Sequence, residues 1–103
     1  MSLTARQKEH TIAEFEQNRR TLELSYADIA AALNTTPEHV EAVAHLRGRS
    51  IEEPWILRNY LIEQADARNI ELVPFTALAG DPRDYWFLDT AFIARGTLGN
   101  TQF

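Results

Sequence analysis

The stretch LSYADIAAALNTTPEHVEAVAHL, residues 24–46, decides the fold. It divides into two helical segments around Asn34. Ser25 is a helix-capping residue, and Asp28 three positions on places a carboxylate at the positive end of the helix. Leu24 and Ile29 occupy the two positions of a hydrophobic staple. Ile29, Ala30 and Leu33 supply one apolar face, and Ala30 is small enough to let a second helix approach closely. Asn34 follows, one of the few residue types that tolerates left-handed backbone angles at a helix end. Thr36 caps the second segment, with Pro37 at its first position, where a missing N–H costs nothing. Val40, Val43, Ala44 and Leu46 form its inner face, and Gly48 is a natural stop. Two helices joined by a turn of three or four residues make the helix-turn-helix, whose second helix enters the DNA major groove. Thr35 departs from the apolar residue usual just after that turn.

The same signals organise the rest of the chain. Thr4 and Gln7 have capping-box spacing, and Ile12, Phe15 and Leu22 follow at helical intervals, which predicts a first helix over about residues 4–20. In SIEEPWILRNYLIEQADARN the residue before Pro54 is pushed away from helical angles, so the regular helix is expected from Pro54. Ile56, Leu57, Tyr60, Leu61 and Ala65 share one face, which Trp55 and Ile62 widen. Residues 70–103 hold six of the ten aromatics: Phe75, Tyr85, Trp86, Phe87, Phe92 and Phe103. IELVPF reads as a short extended piece that Pro74 confines to an edge. Asp81 with Pro82 opens a further short helix, and Asp89 to Gly96 gives a last turn or two. This tail is too apolar for disorder and is expected to fold over the first and fourth helices.

The chain has 103 residues, a net charge of −5 and no cysteine. That length suits one domain with its own core. Disulfide and thiolate chemistry are excluded. No apolar run reaches membrane-spanning length, and MSLTARQKEHTIAEF lacks the apolar core of a signal peptide, so a cytoplasmic location is expected. The charge is unevenly placed. Residues 25–46 carry Asp28, Glu38 and Glu41 and no lysine or arginine. Phosphate neutralisation supplies most non-specific DNA affinity, so that absence weighs against a duplex. Arg47 and Arg49, immediately after, could hold phosphates flanking a groove.

No metal site is expected. His39 and His45 are six positions apart and do not share a helix face, and no third ligand has suitable spacing. Ser25 and Ser50 read as caps, Glu52 and Glu53 as charges at a helix start, and no phosphate loop is present, so enzymatic activity and a cofactor are not expected. Tyr85, Trp86 and Phe87 are consecutive and cannot all face one core. Tyrosine and tryptophan combine contact area with a polar handle, which suits an interface.

EEPWILRNYL followed by VPFTALAGDPRDYWFL resembles a bacterial family of small uncharacterised proteins, domain of unknown function 2316. SLTARQKEHTIAEFEQN and YADIAAAL are similar to it as well. The resemblance implies a small all-helical protein with a helix-turn-helix-like segment and supplies no catalytic residues. It places Pro54, Trp55, Arg58, Asn59 and Tyr60, with Phe75, Asp81, Tyr85 and Trp86, in the family pattern.

The expected fold is therefore all-α, one domain over residues 1–103, with four to five helices. Its core is a lambda-repressor-like helix-turn-helix, and an aromatic-rich C-terminal tail packs on it. The expected function is a DNA-binding transcriptional regulator, a homodimer on double-stranded DNA. Thr36, Glu38, His39 and Ala42 would face base edges, and Arg47 and Arg49 would hold phosphates. The alternative is a degenerate helix-turn-helix used for protein association, with Trp55, Tyr85 and Trp86 at the contact.

Overall fold

Capping chemistry sets where each helix begins. The structure, a computed structural model, describes residues 4–48, 52–78 and Ile93. Helix α1 spans Ala5–Thr21. Thr4 Oγ1 accepts from the Gln7 N–H at 3.1 Å and Gln7 Oε1 from the Thr4 N–H at 2.9 Å, a complete capping box. Helix α2 spans Tyr26–Leu33 behind a matching box of Ser25 and Asp28, 3.0 Å in both directions. Helix α3 spans Pro37–Ala44, and Thr36 Oγ1 accepts from the His39 N–H at 3.1 Å. Helix α4 spans Glu53–Arg68, one residue ahead of the expected start. Proline at its second position is tolerated because first-turn N–H groups have no intrahelical partner to lose.

The helix ends show a pattern that the sequence reading found only at Asn34. Glu23, Asn34, Leu46 and Asn69 have φ of 56°, 61°, 60° and 56°, one just past each helix. Each reversal ties a downstream N–H back into the last turn: Leu24 to the Arg19 carbonyl, Thr35 to Ala30, Arg47 to Ala42 and Ile70 to Ala65. Helix α3 accordingly ends at Ala44, and the reversal at Leu46 comes ahead of the expected Gly48. A left-handed leucine costs about 1–2 kcal/mol, and burying part of its side chain against the core offsets that.

Among the described residues the secondary structure is entirely helical, with four helices and no strand. Helix α2 packs most extensively on α3, α3 on α4, and α1 lies against both α3 and α4. The shared core holds Phe15, Leu22, Ile29, Leu33, Val40, Val43, Trp55, Ile56, Leu57 and Leu61. No described helix is long and apolar enough to cross a membrane.

After α4 the chain turns back along α1. The expected extended piece is anchored by a side chain instead of a strand. Buried Asn18 donates from Nδ2 to the Val73 carbonyl at 3.0 Å and accepts the Val73 N–H at 2.9 Å, so one amide replaces a stretch of ladder. Glu14 accepts from the Thr76 N–H and hydroxyl at 3.2 and 2.8 Å. Between these anchors the Phe75 ring meets Phe15 at 5.3 Å between centroids. Leu78 and Ile93 are buried in the same core. The readings made at Asp81, Pro82, Tyr85, Trp86, Phe87, Asp89, Phe92, Gly96 and Phe103 lie outside the described residues.

The junction of α1 and α2 is polar. Arg19 pairs with Glu16 at 3.2 and 2.9 Å, donates to the Leu24 carbonyl at 2.9 Å and stacks 4.6 Å from the Tyr26 ring centroid. The Tyr26 hydroxyl donates to Glu16 at 2.5 Å. The Arg19 hydrogen bond, with help from Tyr26, holds the Glu16 carboxyl down from 4.5 to about 2, against the opposing effect of partial burial. Burial and the Glu16 contact push the Tyr26 phenol up to about 12. A depressed carboxylate stabilises the fold above its unfolded pKa, and that contribution fades as pH falls from 4.5 toward about 2. The cluster is partly open to water, so the stabilisation is about 1 kcal/mol rather than the full value of the shift. Glu16→Gln is expected to lower stability by that amount at pH 7 and to flatten the acid limb of a denaturation-against-pH series between pH 4.5 and 2. An unchanged limb would mean that the Arg19 pairing contributes nothing.

Candidate functional site

Asn34 turns the chain so that α3 leaves α2 with its own leading end uncovered. Asn34, Pro37 and Glu38 are exposed. Helical spacing then sorts the α3 side chains into two faces. His39, Val40, Val43 and Ala44 point inward and are buried. Glu38, Glu41, Ala42 and His45, at intervals of three and four, make up the outward stripe, the first two exposed and the others half-buried. The His45 ring closes back on its helix, Nδ1 donating to the Glu41 carbonyl at 2.9 Å. Asp28, exposed at the start of α2, holds the Ser25 N–H and stays ionised below the usual carboxylate range because of that bond.

One of the six residues expected at a DNA surface is placed differently. His39 was expected on the exposed leading turn and is instead only 7% exposed. Its Nε2–H donates to Glu53 Oε2 at 2.8 Å, and its Nδ1 lies 2.8 Å from Thr35 Oγ1. In the neutral ring Nδ1 accepts the Thr35 hydroxyl proton. Thr36 is half-buried, with its hydroxyl oxygen committed to capping α3. Glu38, Ala42 and Arg47 stay accessible, and Arg47 is exposed just beyond the helix end. Arg49 lies outside the described residues. The structure thus keeps the acids of this face on the outside and takes its first histidine away.

The expected association contact also changes. Trp55 is buried in the core at 4% exposure, with the Arg58 guanidinium 5.2 Å from its ring, so it is no free contact in this chain. Its partners in that reading, Tyr85 and Trp86, are outside the described residues. Among the described residues no three His, Asp or Glu side chains could hold a metal ion.

Glu53 is the residue that sequence reasoning missed. In the sequence it is a charge at a helix start, yet the residue is only 3% exposed and its carboxylate spans from α4 to α3. A Cβ on Gly48 would collide with that carboxylate and press on Val43, so the loop after α3 can lie this close only because position 48 has no side chain. The signal existed in the sequence. His39 precedes Val43 by four positions and so belongs to the inner stripe, and a buried imidazole needs a polar partner. Thr35, His39 and Glu53 together form a hydroxyl–imidazole–carboxylate chain that fixes the α2–α3 corner and the start of α4.

The chain matches, over residues 1–89, a family described as an uncharacterized protein conserved in bacteria, DUF2316. No curated protein and no solved structure matches it. The chain belongs to that bacterial family.

Proposed function

We propose that α2 and α3 are a helix-turn-helix kept as a protein-association element, with the outward stripe of α3 as its contact and a cationic protein segment as its partner. The observation that carries this reading is the chemistry of the stripe. Glu38 and Glu41 are exposed acceptors, Asp28 adds a third charge at the start of α2, and His39 is withdrawn inward. Such a surface complements lysine and arginine side chains and opposes phosphates. At roughly 0.2–1 kcal/mol for each exposed charge contact, three carboxylates beside a duplex weaken binding by roughly threefold to a hundredfold, and Arg47 offsets one of them.

The second reading, a dimeric transcriptional regulator on DNA, is favoured by shape. The leading end of α3 is open and Arg47 follows it. Two copies on a two-fold axis would double the phosphate contacts.

Fluorescence anisotropy separates the two. With a labelled random duplex at low salt, the wild-type chain is expected to show no saturation at tens of micromolar. Glu38→Lys with Glu41→Lys is expected to acquire salt-dependent duplex binding, because only charge is changed. A labelled lysine- and arginine-rich helical peptide is expected to bind the wild type, with affinity lost on Glu38→Gln with Glu41→Gln. Saturable wild-type binding to the duplex that Arg47→Ala weakens would reverse the order of the readings. Failure of the peptide to bind would remove the cationic partner.

A further inference from the structure

We infer that Thr35 is a reactive hydroxyl, able to take an acyl group from small activated donors such as aryl esters, thioesters or acyl phosphates. This goes beyond the association reading and does not depend on it. An alcohol is a weak nucleophile until a base lies within hydrogen-bond reach and a third group orients that base. Thr35 Oγ1 is 2.8 Å from His39 Nδ1, and His39 Nε2 is 2.8 Å from Glu53 Oε2. The base and its carboxylate are buried at 6% and 4% side-chain exposure, which strengthens the electrostatics between them. Thr35 itself is half-buried at the corner, with its hydroxyl held against the ring. Its backbone is held by its own N–H on the Ala30 carbonyl at 3.0 Å, which keeps the side chain in register with the ring.

The step balances within the chain and the donor. Thr35 Oγ forms a bond to the acyl carbon and its proton passes to His39 Nδ1. The donor's bond from that carbon to its leaving oxygen or sulfur breaks, and the leaving group departs with the electron pair. The imidazolium formed is stabilised by the Glu53 carboxylate and returns its proton to the leaving group or to water.

Thr36 supplies an internal control. It is adjacent and also half-buried, and its hydroxyl oxygen accepts from the His39 backbone N–H instead of facing the ring. The test is exposure of the folded chain to p-nitrophenyl acetate, followed by peptide mapping with fragmentation that resolves Thr35 from Thr36. Acetylation of Thr35 is expected to exceed that of Thr36 by roughly 10²-fold, the usual scale of a positioned base. His39→Gln should bring the ratio to near one. Glu53→Gln, which retains a hydrogen-bonding side chain, should lower Thr35 labelling at least several-fold while circular dichroism confirms the fold. The ratio within the wild type needs no variant, so a poorly folding substitution leaves the test intact. Equal labelling of the two threonines, or an unlabelled Thr35 in chains whose Lys8 is acetylated, would overturn the inference.

Discussion

His39→Ala is expected to lower the stability of the folded chain by about 3–5 kcal/mol, because a hydrogen bond to a buried carboxylate is lost together with the volume of the ring. The imidazole bridges Thr35 and Glu53 with two bonds of 2.8 Å, and both it and the carboxylate are all but sealed from water. Removing the ring takes the α3 side of the bridge away from the Glu53 carboxylate, in a site walled by Val43 and the Gly48 backbone. For a chain of this length a loss of about 3 kcal/mol corresponds to a melting temperature lower by roughly 12–20 °C. Burying a polar pair is seldom worth more than filling the same space with hydrocarbon. The double variant His39→Leu with Glu53→Met is therefore expected to recover most of the loss, although each single change is costly. Thermal denaturation of the three variants reads both statements. A single variant within about 1 kcal/mol of wild type would show that water or rearrangement replaces the bridge.

That contrast explains which parts of the molecule were legible in its sequence. Caps are local, so Thr4, Ser25 and Thr36 could be read from residues three positions apart, and the helix starts fall where those residues place them. The Asn34 corner was legible for the same reason. Glu23 and Leu46 were not, because nothing in a glutamate or leucine side chain favours left-handed angles, and the conformation is imposed by closure of the preceding helix and by packing. The Glu53 bridge was hidden by distance. Fourteen positions separate it from His39, and only the packing of α3 on α4 brings them together. Asn18 is a longer-range case, its amide meeting the Val73 backbone across 55 positions. A polar residue on the inner stripe of a helix was the visible half of each contact. Its partner depended on topology. On the candidate contact face, exposure of Glu38 followed from helical period alone, whereas the inward turn of His39 required weighing the period above the habit of counting histidines as surface residues.

Phe15→Ala is expected to be as damaging, at about 3–5 kcal/mol, for a different reason. Phe15 is 1% exposed and stands where α1 receives the chain returning from α4. Its ring packs at 57° to Phe75, a tilted arrangement that favours the edge of one ring against the face of the other. Glu14, the residue just before it, and Asn18, a turn after it, hold Thr76 and Val73. Removing Phe15 therefore empties the space beneath a segment that its neighbours still pin in place. The segment cannot easily collapse into the gap, which puts the cost toward the upper part of the large-to-small range. Phe75→Ala should be milder, because Phe75 retains 8% exposure against 1% for Phe15, so the space it leaves lies nearer the surface. The cycle built from the two single variants and the double is expected to give a coupling of about 0.5–1.5 kcal/mol, the part that belongs to the ring pair itself. Coupling indistinguishable from zero, with both single losses large, would mean that the two rings fill separate parts of the core. The hydrogen bonds of Asn18 and Glu14 would then be what seats residues 73–76 on α1.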